Sequence, residues 1–111
     1  MKKNEIASTF VYFSDGMSGK PRPVLILSDD GDNVEFFKLT TKFENKSSKI
    51  QRKYFKINDW KEAGLYKPTW IDTVPVTSIP KGLATFKPIG ELSLSDIQRL
   101  TTFLNNLERN S

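Results

Sequence analysis

Arg22 stands between Pro21 and Pro23 and opens the apolar run Val24-Leu25-Ile26-Leu27. A guanidinium presents a planar fork of donors that fits two phosphate oxygens and remains a cation at any working pH. The flanking prolines restrict the local backbone and would hold such a fork in one place. An arginine in a surface turn paired with one of the nearby aspartates, Asp29, Asp30 or Asp32, is the other reading of the same residues. A second chemical feature is the stretch from Lys38 to Lys61. It carries eight basic residues (Lys38, Lys42, Lys46, Lys49, Arg52, Lys53, Lys56, Lys61) against Glu44 and Asp59, while the remainder of the chain is slightly acidic. Phe43, Tyr54, Phe55 and Trp60 are interleaved with these cations. That pattern suits a phosphate backbone with bases stacking nearby, and equally a solvated lysine-rich face.

What the chain lacks narrows the chemistry further. With no Cys there are no disulfides, no thiolate nucleophile and no thiolate metal site; with no His the commonest general acid–base and zinc ligand are missing. Any catalysis falls to Arg, Lys, Asp, Glu, Ser, Thr or Tyr. Asp29, Asp30 and Asp32 surround Gly31 in what reads as a tight reversal, so they are expected to form a turn and not a metal site. Neither metal nor cofactor is expected.

At 111 residues, 37% of them hydrophobic, the sequence suits a single domain with a modest core. No apolar run approaches the roughly 20 residues of a membrane helix, and no apolar core follows the charged N-terminal residues, so a cytoplasmic protein without a membrane partner is expected.

The elements that must position these side chains are mostly short strands. Thr9 to Phe13 is rich in β-branched and aromatic residues and ends at Ser14-Asp15-Gly16. Pro23 to Ser28 reads as a fully buried central strand, and Asp30-Gly31 as the centre of the hairpin that follows. Val34 to Thr41 and Ile50 to Ile57 are expected to be the third and fourth strands, joined by a basic loop. Asn58 or Asp59 can cap a short helix through Ala63, with Gly64 ending it. Trp70 to Val76 is a further strand with Pro75 at an edge or bulge, and Thr85 to Pro88 a last one. Trp60 and Trp70 are expected as buried anchors. Ser93 and Asp96 form a capping-box-like pair before Ile97, Leu100, Phe103, Leu104 and Leu107, which recur at helical spacing. The expectation is a mainly β chain with a C-terminal α-helix: a small antiparallel open β-barrel over about 8–90 and a helix over about 94–108.

An ordered set of segments resembles the MazF/PemK toxins of type II toxin–antitoxin systems, and its PemK-like branch in particular. Gly19-Lys20-Pro21-Arg22-Pro23 leading into Val24 to Ser28 is similar to the family's signature loop and strand. Phe10-Val11-Tyr12-Phe13 resembles its first strand, and Phe37-Lys38-Leu39-Thr40-Thr41 its third. Asp59-Trp60-Lys61-Glu62-Ala63-Gly64-Leu65 resembles a Trp-x-x-Ala-Gly-Leu turn, and Ile89-Gly90-Glu91-Leu92-Ser93 the Gly-x-Leu-Ser lead-in to the terminal helix. The resemblance implies the SH3-like barrel shared by the CcdB, MazF and PemK toxins. It further implies a sequence-specific, metal-independent endoribonuclease of single-stranded RNA, acting as a homodimer and neutralised by a cognate antitoxin, MazE/PemI-like or an unrelated small protein. In such a reaction the ribose 2′-hydroxyl is the nucleophile, so neither a protein nucleophile nor a metal is required.

By the same resemblance Arg22 is the charge-stabilising catalytic residue and Thr40 the catalytic hydroxyl at the end of the third strand. Thr41 is the neighbouring alternative, turned to the opposite sheet face. Ser18, Gly19, Lys20, Pro21, Lys42, Ser47 and Ser48 are implied as further substrate contacts. Two positions depart from the family: the loop Met17-Ser18-Gly19-Lys20-Pro21 lacks the carboxylate many members carry, and Asp72 falls where some place a basic residue. Two other functions fit the same fold: a CcdB-like poison that binds gyrase, and a catalytically inactive barrel that serves as a binding or regulatory module.

Overall fold

The apolar run after Arg22 forms the middle of the molecule. In the computed structural model, which describes residues 1–12 and 20–109, it is β2 (Arg22–Asp29), paired antiparallel with β1 (Glu5–Val11) and β3 (Asn33–Thr40). Three further strands follow: β4 (Tyr54–Lys56), β5 (Trp70–Pro80) and β6 (Ala84–Glu91). The helices are the short α1 (Ser48–Gln51) and the long α2 (Leu94–Arg109). The sheet order is β4-β5-β3-β2-β1-β6, every pairing is antiparallel, and the edge strands β4 and β6 do not pair with each other. The result is the expected mainly β architecture: a six-stranded open barrel with a C-terminal helix.

β2 is buried on both faces because each face has its own core. Leu25 joins Ile6, Phe37, Leu39, Phe55 and Ile71 under α2, which contributes Ile97, Leu100, Phe103 and Leu104. Val24 and Ile26 face the other way, onto Ala7, Val34, Phe36, Ile79 and Phe86. A strand between two cores reads as continuous apolar sequence, as this one does. Leu100 is buried, and a buried Leu contributes about 2 kcal/mol, while the partly buried Ile97, Phe103 and Leu104 add smaller increments that together fasten the helix.

The N-terminus of α2 is tied down by one buried carboxylate. Asp96 is fully buried and accepts from the backbone N–H groups of Asn58 (3.2 Å) and Asp59 (2.8 Å) and from Arg99 Nη1 (2.7 Å). Its own N–H donates to Ser93 Oγ at 3.1 Å, and Ser93 Oγ donates to Asp59 at 2.6 Å. The capping pair therefore exists in half: Ser93 caps, while Asp96 reaches across to another loop.

Several boundaries differ from expectation. The first strand starts earlier, at Glu5, and ends at Val11; Phe13 lies outside the described residues. The expected strand Ile50 to Ile57 is two elements. Ser47 caps α1 by accepting from Ile50 N–H at 3.3 Å, and only Tyr54–Lys56 remains as strand. The expected helix after Asn58 is a single turn closed by Ala63 N–H donating to the Asp59 carbonyl at 3.1 Å; the Asp59 carboxylate accepts from Ser93 Oγ, and the Asn58 and Asp59 N–H groups donate to Asp96. Gly64 does end that turn, with φ +89°, and Gly90 passes so close to the Ala63 carbonyl that no Cβ fits. Pro75 lies where expected, in a bulge between the pairs Lys38↔Asp72 and Phe36↔Thr77.

Candidate functional site

Antiparallel register places directly opposite side chains on the same sheet face. Thr9 pairs with Arg22, Thr40 with Trp70, and Trp70 with Lys56. Val24 pairs with Lys38, so two residues further along each strand Arg22 comes level with Thr40. One lateral row thus crosses five strands: Thr9, Arg22, Thr40, Trp70, Lys56. It ends the apolar face that holds Val24 and Ile26, where the chain leaves the core and polar residues take over.

Arg22 and Thr40 line one cavity of about 210 Å³ together with Pro23, Leu39, Thr41, Lys42 and Thr69. Arg22 is exposed and makes no hydrogen bond or ion pair among the described residues, so the pairing with Asp29, Asp30 or Asp32 does not occur. Thr40 Oγ1 accepts from Lys42 N–H at 3.0 Å. That bond fixes the oxygen and leaves its proton without an acceptor among the described residues, so the hydroxyl is set up to donate outward. Thr69 is buried and donates to the Lys67 carbonyl at 2.8 Å.

Aromatic residues and cations continue the row. Phe43 stacks on Trp70 with ring centroids 4.9 Å apart and an 8° tilt, and Tyr54 stands 6.3 Å from Phe43. Lys56 Nζ lies 5.8 Å from the Trp70 ring centroid. Lys38, Lys42, Lys56 and Lys67 form no ion pair among the described residues, whereas Lys53 is engaged by Asp72 at 3.6 Å and by the Val74 carbonyl at 2.7 Å. Burial, with a smaller contribution from the Asp72 charge, raises the Tyr54 hydroxyl above its ordinary value. Near neutral pH Tyr54 is therefore a donor and not a base. Among the described residues no three Asp or Glu side chains are grouped to hold a metal ion.

The other expected contacts divide. Thr41 and Lys42 line the Arg22–Thr40 cavity. Lys20 and Pro21 are exposed just before Arg22 and do not line it. Ser47 and Ser48 do not reach it either: Ser47 is turned to cap α1 and Ser48 begins that helix. Ser18 and Gly19 lie outside the described residues. Of the four aromatics in the basic stretch, Phe43 and Tyr54 flank the row, while Phe55 and Trp60 pack in the core beneath α2. Trp70, expected as a buried anchor, stacks on Phe43 at the site. The sign of this in the sequence was an aromatic residue, Phe43, inside an otherwise polar loop.

No helix among the described residues is long and apolar enough to cross a membrane. No protein-family model and no curated protein matches the chain. Solved structures do match. One, described as an endoribonuclease in complex with its cognate antitoxin from mycobacterial species, superposes with a TM-score of 0.61 over 95% of this chain and 90% of that chain, at 12% sequence identity. The chain shares that protein's fold.

Proposed function

We propose that this chain is the toxin of a type II toxin–antitoxin system, a MazF/PemK-like endoribonuclease that cuts single-stranded RNA without a metal. The observation that carries the proposal is the pairing of an unpartnered guanidinium, Arg22, with a pre-oriented hydroxyl, Thr40, on one cavity. The shared fold of an endoribonuclease that binds an antitoxin supports it.

In the proposed reaction the ribose 2′-oxygen attacks the adjacent phosphorus and the bond from phosphorus to the 5′-oxygen breaks. A 2′,3′-cyclic phosphate and a 5′-hydroxyl result. Arg22 spans two non-bridging oxygens and stabilises the charge that accumulates on the phosphorane. Thr40 donates to a non-bridging oxygen, and Lys42 adds positive charge at the same cavity. Among the described residues no carboxylate lines that cavity; in the proposed reaction the 2′-hydroxyl proton passes to solvent, and the leaving 5′-oxygen takes its proton from solvent as well. Orientation and charge stabilisation are the protein's contribution, which predicts a slow enzyme.

The toxin works as a homodimer in this proposal. Its antitoxin carries a disordered, acidic and apolar tail that folds over the cationic row on binding and competes with RNA there. The test is incubation of the purified protein with end-labelled single-stranded RNA in the presence of a chelator. Fragments bearing cyclic phosphate and 5′-hydroxyl ends, lost in Arg22→Ala while the circular dichroism spectrum is unchanged, are the expected result. Intact RNA, or cleavage indifferent to Arg22→Ala, overturns the proposal.

A further inference from the structure

A second cavity, of about 360 Å³, adjoins the Arg22–Thr40 cavity and shares Thr41 and Lys42 with it. Its walls are the Phe43 and Trp70 rings and its rim carries Glu44, Asn45 and Lys67. The proposed chemistry uses none of these five. We infer that it is a specificity subsite, which holds one unpaired nucleobase next to the cut phosphate and selects a base bearing an exocyclic amine over uracil.

The aromatic wall accounts for the planar occupant. Phe43 and Trp70 are stacked on each other and only partly buried, so the pair offers a flat, rigid edge of ring surface beside a phosphate-binding cavity. Stacking of an unpaired base on such a surface is sequence-tolerant and adds to the affinity that a cationic groove supplies in single-strand binding. Selection falls to Glu44 and Asn45. The loop that carries them is held in place: Lys46 N–H donates to the Phe43 carbonyl at 3.1 Å, Gln51 Nε2 donates to the same carbonyl at 2.9 Å, and Ser47 caps the helix that follows. Glu44 and Asn45 occupy the tip of that turn, and neither side chain has a partner among the described residues. Glu44 pairs with neither Lys42 nor Lys67, although all three border one cavity.

The sign of the charge decides what Glu44 can read. A carboxylate beside a phosphate-binding cavity repels the backbone and accepts hydrogen bonds only. It therefore favours an occupant that brings donors, and an amino group on cytosine, adenine or guanine is the donor a base edge supplies. Uracil presents two carbonyl oxygens and a single ring N–H, so it leaves the carboxylate under-satisfied and one carbonyl facing it. Asn45, with one donor and one acceptor group, complements a base that alternates them. Lys42, common to both cavities, is placed to hold the phosphate that links the selected nucleotide to the cut one.

This subsite rests on the endoribonuclease reading, and two measurements separate the two. In the first, cut sites are mapped on a long RNA by their 5′-hydroxyl ends for the wild type, Glu44→Gln and Trp70→Ala. The wild type should disfavour uracil at one position beside the cut, Glu44→Gln should reduce that discrimination about tenfold with other positions unchanged, and Trp70→Ala should raise KM about tenfold with kcat nearly kept. In the second, Trp70 is left as the sole tryptophan by Trp60→Phe. Its emission is then followed as uncleavable 2′-O-methyl oligomers of A, C or U are added. Quenching by A and C at concentrations about tenfold below U is expected. Equal quenching by all three, no quenching at all, or a Glu44→Gln variant whose kcat falls equally at every site overturns the subsite. Arg22-dependent cleavage with an unaltered site pattern in both variants would reject the subsite and keep the ribonuclease; selective quenching by a protein that cuts nothing would do the reverse.

Discussion

β2 carries a charged side chain at each end, and the two are treated in opposite ways. At its far end Asp29 is almost completely buried and accepts from Lys81 Nζ at 2.8 Å, from the Met1 ammonium at 2.9 Å and from Gly31 N–H at 3.0 Å. At its near end Arg22 is exposed and has no partner among the described residues. Asp96 resembles Asp29 in this respect, with two backbone N–H groups and Arg99 on its oxygens. A buried charge is tolerated only with its partners in place, whereas a charge left without them at a cavity is free to meet one that arrives. Groups with complete partner sets hold this barrel together, and in the proposed function the groups without them are where it meets RNA.

The sharpest way to break that contrast is to remove one charge of each kind. Arg22→Ala should lower RNA cleavage by about 100-fold or more, the scale of losing a principal oxyanion donor, with the melting temperature unmoved. Arg22→Lys should recover only part, because an ammonium lacks the planar fork. Asp96→Ala should do the converse. Two backbone N–H groups and a guanidinium lose their acceptor, at a cost of about 3 kcal/mol, and the melting temperature should fall by roughly 10–20 °C. Cleavage per folded molecule at low temperature should stay near wild type. A thermal melt and a single-turnover assay on the two variants decide the matter, and a result in which both variants move both readouts removes the distinction.

Much of this division could be read in the chain, and the exceptions have a common cause. The buried run after Arg22, the Asp30-Gly31 reversal and the helical spacing from Ile97 to Leu107 are local patterns, and each produced the element it indicates. Arg22 and Thr40 were singled out through the resemblance to the MazF/PemK toxins, and the β2–β3 register that brings them level belongs to the fold and not to either segment alone. The stretch from Ile50 to Ile57 misled because Phe55 and Ile57 alternate like a strand, while the Ser47 cap and the Gln51 bond to Phe43 bend its first half into a helical turn. The turn after Asn58 misled because the Asp59 carboxylate is engaged by Ser93, far along the chain, and the Asn58 and Asp59 N–H groups by Asp96. Phe43 against Trp70 is likewise a contact between distant segments: an aromatic residue in a polar loop signals that Phe43 finds a partner but not that the partner is Trp70.

A smaller effect sharpens the comparison inside the site itself. Thr40→Val keeps the shape of the side chain and deletes the hydroxyl, so it should slow cleavage about tenfold, the value of one hydrogen bond to a charged oxygen. Thr40→Ser retains the donor and should stay within a few-fold of wild type. Thr69→Val, on the same cavity but with its hydroxyl already donating to Lys67, should change the rate less than Thr40→Val does. A larger loss in Thr69→Val would mean that the free proton on Thr40 is not the property that matters.

The smallest effect expected is a pH dependence at the opposite end of β2. The Lys81 ammonium, then the Met1 ammonium and the Gly31 N–H, hold the Asp29 carboxyl well below the usual carboxylate range. A depressed folded-state value means that the folded protein binds this proton less readily than the unfolded chain. The stabilisation is therefore complete above the ordinary Asp value of about 3.9 and fades as pH falls from there toward the lower folded-state value. Asp29→Asn cannot make that pairing at any pH. Wild type should then melt higher than Asp29→Asn at neutral pH, and the gap should narrow as the pH falls below about 4, where the unfolded chain binds the proton before the native carboxyl does. The difference in melting temperature between the two proteins, followed from neutral to acid pH, is the measurement. A gap that stays constant across the range would show that Asp29 contributes through its packing and its place in the turn and not through its charge.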